Sequence, residues 1–133
     1  MSRQGAREAL VAIFVAEGSF NQVLGYAPVD TQGFDKILSI YTNRTHHIQE
    51  SQALEHNFYV FFLDVLLKRT GGEEVEDTLD ALHEVIRATI KANQANANWD
   101  RLDLEEESDA VFAEISGVSY RVETHPLLVK EMS

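Results

Sequence analysis

The histidines are the residues of this chain that could most directly do chemistry, because a neutral imidazole is a common zinc ligand. His46 and His47 lie close to Glu50, and His56 and His83 could complete a set of ligands. Adjacent residues of a strand point to opposite faces, so His46 and His47 are poorly placed to bind one ion together. No two histidines have the H-x-x-x-H spacing of a helical metal site. We therefore predict no metal site.

A second candidate is an acidic cluster between the middle and the end of the chain. Neighbouring carboxylates can bind Ca²⁺ or Mg²⁺, or act as acid and base in catalysis. The D-x-D-x-D-G spacing of a calcium loop is absent, which favours a solvated acidic segment. The cluster consists of Asp103, Glu105, Glu106, Glu107 and Asp109.

Motifs for nucleophilic catalysis and for phosphate binding are also absent from the sequence. There is no G-x-S-x-G, and Ser116-Gly117 has the composition of a hairpin turn. Gly71-Gly72 is not followed by the Lys and Ser or Thr of a phosphate loop. The sequence therefore predicts a protein that is not an enzyme and that uses no cofactor.

Asp64 is the one charged residue inside an apolar run, Phe58 to Leu67. A carboxylate buried there without a partner would be strongly destabilising. Asp64 could lie at a strand edge or end and face solvent. It could instead form an ion pair across a subunit interface, with Arg69 or Arg121 of a neighbouring copy. A role as a catalytic base is the least favoured interpretation.

The segment from Phe58 to Arg69 predicts a strand that is apolar on both faces, so both faces need cover. One face consists of Tyr59, Phe61, Leu63, Val65 and Leu67. A helix predicted at residues 74–93 can cover it, and the weaker helix predicted at residues 7–17 is the only other candidate within the chain. We therefore predict that the second face contacts another subunit. Its residues are Phe58, Val60, Phe62, Asp64 and Leu66.

The helix predicted at residues 74–93 has an acidic first turn and an apolar stripe at helical spacing. That stripe is Val75, Leu79, Leu82, Ile86 and Ile90. A loop is predicted at residues 25–33, where two Gly and a Pro interrupt the periodicity.

Alternating and apolar runs predict the strands. Pro126 is expected to stop regular pairing, or to place the residues after it on an edge strand. We predict one α+β domain over residues 1–133. It is a two-layer sandwich in which a mainly antiparallel sheet carries helices on one face, in the order α-β-β-α-β-β. The predicted strands are 37–47, 58–69 and 102–104, with a polar connection at 49–57 and a hairpin over 111–115 and 118–124.

The composition of the chain argues against several further classes of function. The net charge of −11 argues against binding to nucleic acid and to anionic membranes, since both need clustered Lys and Arg. Without cysteine, the chain can form neither disulfides nor thiolate metal sites. The N-terminal segment lacks the apolar run of a signal peptide, and no stretch approaches the roughly 20 apolar residues of a membrane span. These features are compatible with the cytoplasm.

The order of these elements resembles that of the tail terminator, or tail-completion, proteins of long-tailed bacteriophages and prophages. The resemblance covers most of the chain, from Ala6 to Val129. The segment Phe34-Asp35-Lys36 departs from the family, which often has a Pro before this strand. The segments that carry the resemblance are the helix 7–17, the loop Tyr26-Ala27-Pro28, the strands 37–41 and 58–69, the helix 74–93, and the segments 117–122 and 126–129.

The resemblance implies a small α+β protein without catalytic residues that assembles into a ring, usually a hexamer. Such rings cap the tail tube, stop its polymerisation and contact the head connector. The implied partners are therefore other copies of the chain, the tail-tube protein and the head–tail connector proteins. The implied location is the tail of the virion, or the bacterial cytoplasm during assembly. If DNA passes through the lumen of such a ring, an acidic chain would suit it, because a negatively charged lumen would not bind the DNA.

Two other function classes stay open. One is a small α+β ligand-binding domain or enzyme, which would need convergent polar residues in a pocket. The scattered histidines are the sequence's candidates for such residues. The other is an interaction module that dimerises through the apolar strand.

Overall fold

A computed structural model of the chain describes residues 2–49, 55–69, 72–95 and 97–131. The described residues form two helices and a six-stranded, mainly antiparallel sheet, which confirms the predicted α+β class. The order is α-β-β-β-α-β-β-β and differs from the predicted order α-β-β-α-β-β. The short strand at Gln22–Leu24 was not predicted, and the strand at Arg101–Leu104 matches the one predicted at 102–104, which the predicted order did not count. The elements are α1 (Arg3–Glu17), β1 (Gln22–Leu24), β2 (Lys36–Gln49), β3 (Glu55–Lys68), α2 (Glu73–Ala92), β4 (Arg101–Leu104), β5 (Asp109–Ile115) and β6 (Val118–Lys130).

The sheet is built around β3 and β6. β3 pairs antiparallel with β2 along one edge and with β6 along the other. β1 adds a parallel strand beyond β2, and β4 and β5 both pair with the outer edge of β6. Asp64 therefore lies within a central strand, between Ser39 of β2 and Thr124 of β6. The interpretation that placed Asp64 at a strand edge or end is wrong.

Helix α1 begins and ends where local hydrogen bonds dictate. The Ser2 hydroxyl accepts a hydrogen bond from the Gly5 N–H at 2.9 Å, which satisfies one of the free amides of the first turn. Gly18 adopts a left-handed conformation with φ 87°, and its N–H donates to the Phe14 carbonyl at 3.3 Å. The helix thus begins four residues before the predicted residue 7. Its buried residues are Ala6, Leu10 and Phe14.

Helix α2 matches the prediction closely. Three acidic residues occupy its first turn and Lys91 its last, as the helix dipole favours. The predicted stripe is buried along its whole length. Beyond the helix, the Trp99 indole N–H donates to the Asn93 carbonyl at 2.8 Å, so a buried aromatic ring secures the end of the helix.

Neither helix among the described residues is long and apolar enough to cross a membrane.

Both helices pack on the same face of the sheet, as the predicted sandwich requires. One core fills the space between the layers, and the residues of β3 predicted to face a helix belong to it. Because α1 contributes to this same core, it does not cover the second face of the sheet. The β3 members of this core are Tyr59, Phe61, Leu63, Val65 and Leu67.

The second face of the sheet has a covered end, which the loop over residues 25–35 contacts. The Ser39 hydroxyl donates to the Tyr26 carbonyl at 2.6 Å, and the Tyr120 hydroxyl lies 2.5 Å from the Thr31 hydroxyl. Leu66 is 3% exposed here, so the chain itself covers this predicted interface residue. The small core at this end consists of Leu24, Ile37, Leu66, Tyr120 and Val122.

The hairpin of β5 and β6 confirms the predicted turn at Gly117. Ser116 and Gly117 have φ values of 48° and 78°, as a two-residue turn between twisted strands requires. β6 then continues through Pro126 to Lys130, so the expectation that Pro126 stops regular pairing is wrong. The Pro126 carbonyl accepts from the Glu105 N–H at 3.0 Å. In an antiparallel ladder the N–H and the C=O of one residue point to the same neighbouring strand, so an N–H at position 126 would also point away from β3. Proline lacks this N–H, but β4 has just ended on that side, and β3 loses no hydrogen bond.

Strands β2 and β3 pair in an antiparallel hairpin, and both are longer than the predicted strands 37–47 and 58–69. The ladder extends to the pair of Gln49 with Glu55, so part of the predicted connection 49–57 is strand. Residues 50–54 lie outside the described residues. Beyond Asn57, this hairpin has no third strand beside it in the part of the chain that the structure describes.

Candidate subunit interface

The open end of the second sheet face is an apolar groove of about 580 Å³. Its floor is made by β3 and β6, where Val60 lies opposite Leu128 and Phe62 opposite Pro126. Together with Phe58, these residues are half-buried. Three of the predicted interface residues, Phe58, Val60 and Phe62, therefore line one surface. The complete lining is Asn43, Arg44, Phe58, Val60, Phe62, Glu105, Pro126 and Leu128.

A β-bulge in β2 shapes one side of the groove. The register against β3 shifts between Thr42 and Arg44, which makes Asn43 the extra residue. Strict alternation would place Arg44 on the helix face of the sheet, but the bulge pairs Arg44 with Val60 on the groove side. Both Asn43 and Arg44 consequently line the groove, and the bulge brings a cation to its rim.

Glu105 follows β4 and supplies an anion to the other side of the groove. Arg44 and Glu105 are both exposed. The groove therefore combines an apolar floor with a rim of mixed charge. Such a surface complements a partner that is apolar at its centre and carries both signs at its periphery.

The acidic cluster as a whole forms a solvated segment, as predicted. Asp103 makes an ion pair with Arg101, at 2.7 Å between Oδ2 and Nε. Both side chains are largely in contact with solvent, so this pair contributes little to stability. The exposed members are Glu105, Glu106, Glu107 and Asp109.

Asp64 lies where the covered end of the sheet face meets the groove. The Tyr41 hydroxyl donates to Asp64 Oδ2 at 2.7 Å. Burial, assisted by this hydrogen bond and by the charge of Asp64, raises the pKa of Tyr41 well above its usual range. The hydroxyl therefore stays protonated and remains a donor. Asp64 Oδ1 is buried and has no hydrogen-bond partner among the described residues.

Arg69 and Arg121, the candidates for an ion pair with Asp64 of a neighbour, contact other groups within their own chain. Each guanidinium carbon lies 4.5 Å from the centre of the Phe112 ring, which is a favourable cation–π distance. The Arg121 Nε also donates to Glu76 Oε1 at 2.7 Å. The ion pair with a neighbouring Asp64 stays a prediction.

We expect Tyr41→Phe to lower the free energy of unfolding by about 1–2 kcal/mol, because it removes a hydrogen bond to a charged and partly buried group. Urea unfolding measures the change. Tyr26→Phe is the matched control, since Tyr26 is 60% exposed. Its effect should stay within about 0.5 kcal/mol. Equal losses in the two variants would contradict a stabilising role for the contact between Tyr41 and Asp64.

The candidate zinc-ligand set considered from the sequence does not come together as one described site. His46 and His47 belong to β2 and His56 to β3, in the distal part of the long hairpin. Their side chains, and Glu50, lie outside what the structure describes. His83 belongs to α2 and contacts a different set of residues.

His83 faces Glu123 and His125 of β6, two residues that sequence reasoning did not single out. Its Nδ1 lies 3.4 Å from Glu123 Oε2, and His125 Nε2 lies 3.1 Å from Glu123 Oε1. The Ser108 hydroxyl donates to Glu123 Oε2 at 2.8 Å. A signal for this cluster existed, because Glu123 and His125 share one strand face and His83 follows Leu79 of the predicted stripe by one helical turn.

Burial lowers the pKa of His125 below its ordinary value, because a charged imidazole would lose its hydration there. The Glu123 carboxylate opposes this effect, and the neighbouring His83 and Arg87 add to it. At neutral pH the His125 imidazole is therefore uncharged, with one ring nitrogen free to accept or to bind a ligand.

The groove is open and mainly apolar, and exposed apolar surfaces of this kind mark interaction sites. No family model and no curated protein sequence matches this chain. The groove and the cluster around Glu123 are therefore interpreted from their own geometry.

Proposed function

We propose that this protein is a structural protein, not an enzyme, that assembles with copies of itself into a ring. The ring caps the tail tube of a bacteriophage or prophage and joins it to the head connector. The observation that supports self-assembly is the apolar groove on the sheet face opposite the helices. The assignment to a phage tail is supported by the order of elements, which resembles that of tail terminator proteins.

The groove floor is surface that a sheet normally covers with another layer. It lies on the two central strands, where Phe58, Val60 and Phe62 of β3 stand beside Pro126 and Leu128 of β6. Complete burial of one large aliphatic or aromatic side chain contributes roughly 1.5–3 kcal/mol. Because these side chains are already half-buried, a partner would gain part of that amount from each of them.

The occupant that we propose for the groove is a second copy of this chain. The long hairpin beyond Asn57 has no third strand among the described residues, and a two-stranded hairpin alone is marginally stable in water. Contact with a neighbouring copy would thus stabilise both the hairpin beyond Asn57 and the groove. If the hairpin end of one copy covers the groove of the next, each copy uses two different surfaces. Head-to-tail contacts of this kind generate a closed ring when the rotation between successive copies closes, and an open filament when it does not.

The charge of the chain is consistent with a ring around DNA. Each copy carries a net charge of −11, and an acidic surface repels the phosphates of a nucleic acid. A lumen lined by such a surface would let DNA pass without binding it.

Native mass spectrometry of the purified chain over a range of concentrations, with negative-stain electron microscopy of the same samples, tests the proposal. We expect a discrete ring, most simply a hexamer. A discrete dimer would contradict the ring and favour the dimerising interaction module. A monomer at the highest soluble concentration would contradict self-assembly, and a monomer that retains a small apolar ligand would favour a ligand-binding domain.

The genes that flank the gene of this protein test the phage assignment separately. We expect genes for a portal, a tail-tube protein and a tape-measure protein beside it. Flanking genes without any phage structural protein would contradict the tail function, whereas self-assembly would still be decided by the mass measurement.

A further inference from the structure

We propose that His83, Glu123 and His125 form a binding site for a divalent transition-metal ion of the zinc class. Their ligand atoms all lie within 4.8 Å of one another and come from two elements, α2 and β6. Ligand atoms around a tetrahedral ion with bonds of about 2.0 Å are separated by about 3.3 Å. His83 Nδ1 lies 3.4 Å from Glu123 Oε2 and His125 Nε2 lies 3.1 Å from Glu123 Oε1, so each imidazole is close to that separation from one of the two carboxylate oxygens.

Two buried atoms at the centre of the cluster lack a hydrogen-bond partner among the described residues. They are Glu123 Oε1 and His125 Nε2, which lie 3.1 Å apart but are not aligned for a hydrogen bond. His125 is 2% exposed, so its unpaired nitrogen is costly to the folded state. A cation between the two atoms would accept a lone pair from each and remove both deficits at once.

The donor set selects the class of metal. Two imidazole nitrogens and one carboxylate oxygen suit Zn²⁺ and its neighbours Co²⁺ and Ni²⁺, whereas Ca²⁺ and Mg²⁺ prefer ligand sets made of oxygen. Three protein ligands leave one position for water or for another group. The His83 side chain is 29% exposed, which gives an ion a path of entry. The hydrogen bond from Ser108 orients the Glu123 carboxylate, as outer partners of metal ligands commonly do.

A metal bound here would join the helix layer to the sheet. His83 belongs to α2, while Glu123 and His125 belong to β6, on the face opposite the groove. Because the unfolded chain does not hold these three ligands together, an ion that binds them stabilises the folded state. This inference is independent of the proposed ring, and the two can fail separately.

Isothermal titration and thermal unfolding of the tag-free full chain, freed of metal with a chelator, test the site with Zn²⁺ itself. We expect one Zn²⁺ per chain and a rise of several degrees in Tm, with no rise on addition of Mg²⁺. Co²⁺ in place of Zn²⁺ should give the visible absorption of an ion with nitrogen and oxygen ligands. The absence of stoichiometric Zn²⁺ binding would overturn the proposal.

Three variants assign the binding to these residues. His83→Gln and Glu123→Gln should each weaken Zn²⁺ binding by more than about tenfold, since loss of an outer partner alone already costs about 10- to 100-fold. Glu84→Gln is the matched control, because it removes an exposed carboxylate beside His83 but outside the cluster. Circular dichroism confirms that each variant folds. Unchanged Zn²⁺ affinity in His83→Gln would assign the ion to other histidines and overturn the proposal.

Discussion

If the proposed ring forms through the groove, the Val60→Glu variant is expected to remain a folded monomer under conditions in which the wild-type protein assembles. Val60 lies on the groove floor, between Arg44 of β2 and Leu128 of β6. In the monomer, a glutamate at this position keeps contact with water through the open groove and lies beside Arg44. Once a neighbour covers the groove, the same carboxylate loses its hydration. A penalty of about 3 kcal/mol per contact weakens each contact by more than about 100-fold.

Val111→Glu is the matched control, because it makes the same substitution on a strand outside the groove. Val111 lies on β5 and is 52% exposed. Size-exclusion chromatography with light scattering should show rings for the wild-type protein and for Val111→Glu, and monomers for Val60→Glu. Thermal unfolding followed by circular dichroism should give similar Tm values for the two variants at low concentration. Rings of unchanged size and stability in Val60→Glu would exclude the groove as the subunit contact.

The parts of the fold with a strong repeating pattern could be predicted from the sequence. Five apolar residues at helical spacing located α2 to within one residue at each end, because only one face of that helix can reach the core. Alternation along β3 identified which side chains face the helices, since strand side chains alternate whatever the neighbours are. The turn at Gly117 could be predicted because few residue types accept its conformation.

Features that depend on contacts between distant segments could not be predicted. The cover over Leu66 depends on Tyr120 meeting Thr31, which is 89 residues away in the chain. The tolerance of Pro126 depends on where β4 ends, because beyond Leu104 no strand carbonyl needs the N–H that proline lacks. A strand as short as β1 has no periodicity to detect and forms because β2 offers it a free edge.

The candidate interface could be predicted only in part, because it depends both on the alternation along β3 and on contacts between distant segments. Residue parity placed Phe58, Val60 and Phe62 on one face, but it could not show that the loop over residues 25–35 covers only one end of that face. The bulge that turns Arg44 toward the groove has no clear signal in the sequence, since it shows only in the register of β2 against β3.

The largest loss of stability is expected from Phe61→Ala, which should lower the free energy of unfolding by about 3–5 kcal/mol. Phe61 is fully buried on the central strand β3 and belongs to the core between the sheet and the helices. Its neighbours come from several elements and cannot all move inward, so the substitution leaves a cavity in addition to the lost burial. Urea unfolding at a concentration at which the wild-type protein is monomeric measures this loss, because assembly would otherwise add to the apparent stability.

Phe58→Ala provides the comparison, since it removes the same ring from the opposite face of the same strand. Phe58 is half-buried and lines the open groove, where its removal creates no closed cavity. Its effect on the unfolding of the monomer should stay below about 1 kcal/mol, while self-association weakens. If Phe58→Ala destabilised the monomer as much as Phe61→Ala, the groove would be part of the folding core. If Phe58→Ala instead weakens only assembly, one face of β3 stabilises the fold and the other joins the subunits.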